Sequence, residues 1–181
     1  MFQIRTQTPA DRAAVETLNH LGFGPNRHNR SVWRLRQGPV ADGLALIAAD
    51  QANDIPLATL RFWPVMIGAA VPALLLGPLA VCPTHRGEGL GRALVGHGLS
   101  KARDLGWTLC VVSGDPSYYQ PYGFVPAAPY GIALSGSLEP GRLQIAELLS
   151  GALTGLDTQE DRILQPWRSV RPGRVLVLSA A

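Results

Sequence analysis

The chain has 181 residues, of which 46% are hydrophobic and 16% are charged. These values are typical of a folded globular domain and exclude an intrinsically disordered chain. The formal net charge of +3 suits an anionic small ligand, but nucleic-acid binding usually needs a concentrated basic face. At this length we expect a single domain over residues 1–181 and no nucleic-acid partner.

The first predicted elements are a strand over residues 2–5 and a helix that begins after Thr8. Thr8 is a favourable N-cap and Pro9 suits the first helical position. Gly22 and Gly24 are predicted to end this helix. Its predicted apolar stripe consists of Ala13, Ala14, Leu18 and Leu21. The N-terminus carries no apolar signal core, so we expect a cytoplasmic protein.

A basic segment follows over residues 26–36, predicted as a helix or a loop. Cations and aromatic side chains alternate in it: Arg27, His28, Arg30, Trp33, Arg34 and Arg36. Such a pattern occurs in nucleic-acid patches. The interpretation that we favour is a solvated basic helix face, or a rim around an acidic or phosphorylated substrate.

Three strands are predicted next, over residues 44–49, 57–65 and 71–81. An uncharged run over residues 62–84 overlaps them and is long enough to cross a bilayer as a helix. Four prolines interrupt this run, and each would remove a helical hydrogen bond. We therefore predict two buried strands joined by a turn near Gly68, and no membrane partner.

A break in strand pairing is predicted at Gly77 and Pro78, in the middle of the strand over residues 71–81. Proline has no N–H to donate to a neighbouring strand, so this pair indicates a bulge or a point where the neighbour departs. An amphipathic helix over residues 90–105 and a buried strand over residues 107–113 complete a β-α-β unit.

The glycine-rich segment that joins this strand to this helix is the most informative motif. Glycines alternate at positions 87, 89 and 91 and are led in by Arg86. Glycine leaves its amide N–H unshielded and a helix N-terminus carries partial positive charge, so such a loop can hold a diphosphate. The spacing matches neither the dinucleotide fingerprint nor the Walker loop. A tight turn alone needs fewer than three glycines.

Two motifs resemble those of the GNAT acetyltransferase superfamily. Arg-x-x-Gly-x-Gly at residues 86–91 is similar to its coenzyme A pyrophosphate signature, and residues 79–83 resemble the strand before that signature. Residues 114–124, Gly-Asp-Pro-Ser-Tyr-Tyr-Gln-Pro-Tyr-Gly-Phe, resemble the next strand end, short helix and Gly-Phe strand entry. The resemblance is closest over residues 71–127, extends to residue 1, and weakens beyond residue 150.

The resemblance implies an α/β (α+β) fold with a mixed, mostly antiparallel central sheet, a splayed parallel strand pair and flanking helices. It implies direct transfer of an acetyl group from acetyl-CoA, the co-substrate, to a primary amine of a small-molecule or peptide acceptor. The pantetheine arm would lie in the splay, where the backbone of Leu79 and Val81 would polarise the thioester. The implied cofactor-binding residues are Leu79, Ala80, Val81, Arg86, Gly87, Glu88, Gly89, Leu90, Gly91 and Arg92.

The resemblance also assigns a catalytic role to Tyr119, four residues before the Gly123-Phe124 pair. The superfamily carries its general-acid tyrosine at this place, and a phenol with a pKa of about 10 can protonate a leaving thiolate. Tyr118 and Tyr122 are close in sequence, and a packing role for all three tyrosines is the alternative.

The general base is where the sequence departs from the superfamily. Several members carry a glutamate on the strands before the signature, but this chain has no Asp or Glu over residues 55–87. His20, His28, Asp115 and Glu147 are distant candidates, and water or an already neutral amine are alternatives, so we name no base. Two other functions stay open: a non-catalytic acyl-CoA-binding or sensing domain, and a transferase of longer acyl groups from CoA or an acyl carrier protein.

The remaining features carry less information. Cys82 and Cys110 have no metal-type spacing, so we expect two small buried side chains and no metal. Turns at residues 139–141 and 172–173 precede two late segments, 142–149 and 174–178. Both are predicted as strands, with a helix as the alternative for the first. A homodimer is left open.

Overall fold

A computed structural model of the protein describes residues 1–136, 141–154, 156 and 161–167. The described α-helices are α1 (Arg12–Phe23), α2 (Leu90–Asp104) and α3 (Pro116–Tyr119). The described strands are β1 (Phe2–Thr6), β2 (Ala45–Asp50), β3 (Pro56–Ile67), β4 (Val71–Val81), β5 (Leu109–Ser113), β6 (Val125–Pro126), β7 (Ile132–Ala133), β8 (Leu143–Glu147) and β9 (Arg162–Pro166).

One mixed sheet organises these strands in the order β1-β2-β3-β4-β5-β8-β6. All neighbours in this path are antiparallel except β4 and β5. This arrangement confirms the predicted fold class. The strand β9 pairs antiparallel with the end of β3 and parallel with β7. Neither β7 nor β9 was predicted, because both strands are short and lie in segments with little sequence pattern.

The uncharged run forms the hairpin of β3 and β4. Gly68 lies in the connecting turn with a φ of 61°, a left-handed conformation that favours glycine. Residues on both faces of these strands are buried, including Leu60, Phe62 and Leu75, which explains the absence of charge. In the described part of the chain, no helix has the length and apolarity needed to cross a membrane.

The predicted break in strand pairing is confirmed. Leu60 pairs with Leu79 and Phe62 pairs with Leu76, so Gly77 and Pro78 together face one residue of β3. This count of two residues against one defines a β-bulge, which bends the strand. The strands β4 and β5 pair only at Leu74 with Cys110 and Leu75 with Val111. Beyond these pairs β4 has an edge to which no described strand is hydrogen-bonded.

The two long helices cover opposite faces of the sheet. The helix α2 packs Leu90 and Leu94 into a cluster with Leu46 and Phe62, whereas Val15 of α1 packs on Ile47 from the other face. The predicted stripe of α1 was wrong in detail: Val15 and Leu18 are buried, whereas Ala13 and Leu21 are exposed. The helix also continues through Gly22 to Phe23 and ends at Gly24.

The prediction of a strand within residues 142–149 is confirmed. Residues 143–147 form β8, a strand and not a helix. The basic segment forms two short 3-10 turns, Pro25–Asn29 and Ser31–Leu35. Residues 139–140 of one predicted turn, the turn at residues 172–173 and the strand at residues 174–178 lie outside the described residues.

Candidate active site

The glycine loop connects β4 to the first turn of α2. Gly87 and Gly89 have φ angles of 88° and 84°, which L-residues with a side chain rarely adopt. Gly89 is the N-cap of α2, so the loop ends at the positive end of the helix dipole. Both glycines are exposed, and a Cβ at either position would meet no atom within 4 Å. The loop therefore presents backbone to solvent at a helix N-terminus, as an anion cradle requires.

A cavity of about 540 Å³ lies between this loop, the end of β4 and the end of α1. Its wall contains nine of the ten predicted cofactor-binding residues: Leu79, Ala80, Val81, Arg86, Gly87, Gly89, Leu90, Gly91 and Arg92. The tenth, Glu88, is exposed, and its carboxylate lies 3.2 Å from Nδ1 of His85. The glycine loop, the two arginines and the end of β4 thus line one cavity.

Gly91 is required for a different reason than the other two glycines. It lies within α2, and a Cβ there would be 2.7 Å from the Tyr118 hydroxyl and 3.4 Å from Cγ2 of Val81. The missing side chain lets Tyr118 approach the first turn of α2. As a result Tyr118 forms part of the cavity wall.

Tyr119 lies behind Tyr118 and is 8% exposed. Its ring contacts Gly114, where a Cβ has no room, and packs edge-on against Phe124 at 5.6 Å. Burial raises the pKa of Tyr119, and the nearby charge of Arg36 partly opposes that rise. Among the described residues, the Tyr119 hydroxyl has no hydrogen-bond partner. The ring does not line the cavity, so its catalytic assignment stays a prediction.

The basic segment is not a solvated helix face. Arg27 is buried and pairs with Glu16, and the guanidinium of Arg36 lies 4.1 Å from the ring centre of Trp33. Arg30 and Arg34 are exposed. The segment therefore combines two packed arginines with two solvated ones.

The acetyltransferase (GNAT) family model matches residues 12–124, more than half of the chain. The chain belongs to the GNAT acetyltransferase family. The uncharacterized N-acetyltransferase YhbS of Escherichia coli (strain K12) is 30% identical over 157 residues, which are 84% of this chain and 91% of YhbS.

Solved structures agree with this GNAT assignment. The crystal structure of YhbS from Escherichia coli in complex with CoA has a TM-score of 0.75 at 27% identity and covers 92% of this chain and 89% of that chain. A GNAT family acetyltransferase from Brucella melitensis in complex with acetyl-CoA has a TM-score of 0.60 at 30% identity, covering 80% and 95% of the two chains. These neighbours bind CoA or acetyl-CoA on the same fold.

Four further residues line the cavity of this GNAT protein and were not predicted: Gly22, Phe23, His85 and Tyr118. Gly22 was interpreted as a helix end, but a Cβ there would be 3.3 Å from the Cβ of Ala80, so its role is close packing of α1 on β4. A glycine inside an otherwise helical pattern was the available signal. His85 directly precedes the predicted signature.

Three of the four distant base candidates have structural roles in this GNAT protein, and the fourth, His20, is exposed on α1. Asp115 caps α3 by accepting hydrogen bonds from the Ser117 hydroxyl at 2.8 Å and the Ser117 amide at 2.9 Å, and these bonds lower the pKa of its carboxyl group. Glu147 accepts from the Leu153 amide at 2.6 Å. His28 packs edge-on against Trp33. No Asp or Glu of the described residues lines the cavity.

The two cysteines differ. Cys110 is fully buried and burial raises the pKa of its thiol, as a small core residue should behave. Cys82 is half-buried next to Thr84, with 3.2 Å between its sulfur and the hydroxyl; the expectation that both are buried was therefore wrong for Cys82. The described residues contain no group of three or more His, Cys, Asp or Glu that could hold a metal.

Proposed function

We propose that this GNAT protein transfers an acetyl group from acetyl-CoA directly to a primary amine. The observation that carries the proposal is the position of the cavity. It joins the exposed glycine loop to the edge of β4 along which β5 no longer pairs beyond Leu75. A diphosphate and a peptide-like arm need these two surfaces next to each other.

The cofactor would be held by backbone along its whole length. In this proposal the amides of Gly87, Gly89 and Gly91 bind the pyrophosphate, with Arg86 and Arg92 supplying charge. Residues 79–81 pair with the pantetheine arm, and Leu79 and Val81 polarise the thioester carbonyl through their backbone. Acetyl-CoA supplies an acyl thioester, which is activated toward attack by an amine. Glu88 contributes only its backbone, since its carboxylate lies against His85.

Tyr119 is the proposed proton donor to the leaving thiolate. Its raised pKa keeps the phenol protonated at neutral pH, as a general acid requires. Tyr118 is the competing candidate because it lines the cavity, and its pKa is raised as well by partial burial. Both tyrosines lie beyond the last paired residues of β4 and β5 in this proposal, which places either hydroxyl near the thioester end of the cofactor.

Binding of acetyl-CoA tests the cradle. At a ligand concentration of about 100 times Kd, linkage stabilises the fold by about 2.7 kcal/mol, which is a rise in Tm of about 5–10 °C for a chain of this size. Gly89→Glu should abolish this rise, because it places a carboxylate and a side chain where the pyrophosphate would sit. An unchanged Kd in the folded variant would refute the cradle.

Gly106→Glu is the matched control for that variant. Gly106 follows the other end of α2 with a φ of 86°, and a Cβ there also meets no atom within 4 Å. Both substitutions introduce the same left-handed strain of about 1–2 kcal/mol. The two variants should therefore lose similar stability, whereas only Gly89→Glu should lose acetyl-CoA binding.

A non-catalytic acyl-CoA-binding domain is the second candidate, favoured by the missing carboxylate base. Free-thiol release from acetyl-CoA with a panel of amines separates the two functions, since a sensor binds without turnover. Longer acyl-CoAs and acylated carrier protein in the same assay test the wider donor range. The single domain over residues 1–181, the cytoplasmic location and a homodimer also stay predictions.

A further inference from the structure

The packed arginines near Trp33 differ in their charge compensation. Arg27 pairs with Glu16. Arg36 has no carboxylate partner among the described residues, and its Nε and Nη1 atoms are buried without a hydrogen bond. Its guanidinium instead stacks on the Trp33 ring. Arg36 is therefore a packed cation with two buried donor nitrogens that form no hydrogen bond.

The position of this cation relates it to the acyl-transfer site. A Cβ on Gly77 would lie 3.0 Å from Nη2 of Arg36, so the guanidinium rests against β4 at the bulge. Gly77 comes two residues after Leu75, the last residue of β4 that pairs with β5, and two residues before Leu79, where the cavity wall begins. Arg36 thus marks the place where the free edge of β4 starts.

The aromatic side chain that packs on Arg36 is itself in contact with the cavity wall. Trp33 packs edge-on against Phe23 with 5.7 Å between ring centres, and Phe23 lines the cavity. The charge of Arg36 also opposes the rise in the pKa of Tyr119. Arg36 is therefore connected through Trp33 and Phe23 to the wall of the cofactor cavity.

A buried charged donor without a partner destabilises a fold, so its presence needs an explanation, and a bound group that accepts from it is one. Burial also lowers the pKa of Arg36, because removal from water disfavours the charged form of the guanidinium. The planar guanidinium presents paired N–H groups that match the two oxygens of a carboxylate. Each of its two paired edges combines Nη2 with one of the unused nitrogens.

We propose that Arg36 binds a carboxylate of the acceptor, which makes the acceptor class small amines of the amino-acid type, with a carboxylate a few bonds from the amine. The proposal rests on the proposed acetyl transfer and deepens it. The amine must reach the thioester beside residues 79–81, and Arg36 lies at the start of that stretch. A single arginine matches a singly charged carboxylate, and its position sets the short spacing between the two groups.

The test compares acceptors that differ only in the carboxylate. Thiol release from acetyl-CoA is measured with a panel of amino acids and with the corresponding amino-acid amides, using the wild type, Arg36→Gln and Arg36→Lys. With amino acids, Arg36→Gln should lower kcat/KM by about 10- to 100-fold, mainly through KM, and Arg36→Lys should retain part of the activity. With amides, Arg36→Gln should change kcat/KM less than about threefold.

Two controls separate this role from a structural one. Arg34→Gln removes an exposed arginine of the same segment and should leave both acceptor classes unaffected. Arg36→Gln should keep or raise the Tm, because it removes a buried charge that the fold does not compensate. A large fall in Tm would make Arg36 a structural residue and overturn the proposal.

Equal losses of kcat/KM with amino acids and with amides would also overturn the proposal. That pattern would mean that Arg36 stabilises the transition state and does not bind the carboxylate of the acceptor. A wild type that does not prefer the carboxylate would overturn the proposal as well. If no amine gives thiol release, the proposed acetyl transfer is refuted. The carboxylate site at Arg36 is then tested separately, by the change in Tm that propionate causes in the presence of free CoA. Propionate stabilisation that Arg36→Gln abolishes and Arg34→Gln retains supports the site; stabilisation independent of Arg36 refutes it.

Discussion

Replacing Tyr119 by Phe tests the proposed proton donor with little other disturbance. The Tyr119 hydroxyl has no hydrogen-bond partner among the described residues, and the phenyl ring keeps the contacts with Gly114 and Phe124. The change in stability should therefore be below about 1 kcal/mol. Loss of a general acid should lower kcat by about 10²–10⁴-fold, which corresponds to about 3–5 kcal/mol of transition-state stabilisation. Acetyl-CoA affinity should stay nearly unchanged.

The assay is free-thiol release over a range of pH, with Tyr118→Phe as the matched control. Burial raises the pKa of Tyr119 above its ordinary value of 10.0. The phenol therefore stays protonated through pH 10 and loses its proton only at higher pH. The wild type should therefore lose activity only above pH 10, and this loss should be absent in Tyr119→Phe. Tyr118→Phe should be far milder. A large loss confined to Tyr118→Phe would transfer the role to Tyr118, and full activity of both variants would remove tyrosine from the mechanism.

Two stability predictions follow from the same structure. Gly98→Ala should destabilise the protein by about 1–3 kcal/mol, because a Cβ there would lie 2.6 Å from Cε2 of Phe62. Gly96→Ala, on the exposed face of α2 with its nearest neighbour at 4.0 Å, should instead stabilise it by up to about 1 kcal/mol. Urea unfolding measures both, and equal stabilities would contradict the packing of α2 on β3. At neutral pH, Asp11→Asn should cost about 2 kcal/mol, because Arg5 donates to the Asp11 carboxylate at 2.8 Å and 2.9 Å and holds its pKa far below the ordinary 3.8. A depressed carboxyl pKa contributes stability above the unfolded pKa and loses it as the pH falls, so the difference from wild type should shrink below pH 3.8; a difference independent of pH would exclude this ion pair as its cause.

The sequence alone determined those parts of the protein whose physics is local. The glycines at positions 87 and 89 predicted a backbone loop at a helix start, because only glycine adopts their φ angles without strain. Pro78 predicted the break in pairing, because its missing N–H acts wherever the strand is placed. The bounds of β4 agree with the prediction at both ends, since turn residues flank an apolar run.

Tertiary structure alone decided which residues from distant parts of the chain meet at the site. Gly22 and Phe23 of α1 complete the cavity, and Tyr118 reaches it because Gly91 has no side chain. Arg36 lies on the bulge of β4 some forty residues away along the chain, without a carboxylate partner among the described residues. No local pattern encodes these contacts, because they depend on how α1 and the basic segment pack on the sheet. The sequence therefore predicted most of the residues that line the cavity around the glycine loop, where neighbouring residues act together, and tertiary packing decided which distant residues lie beside them.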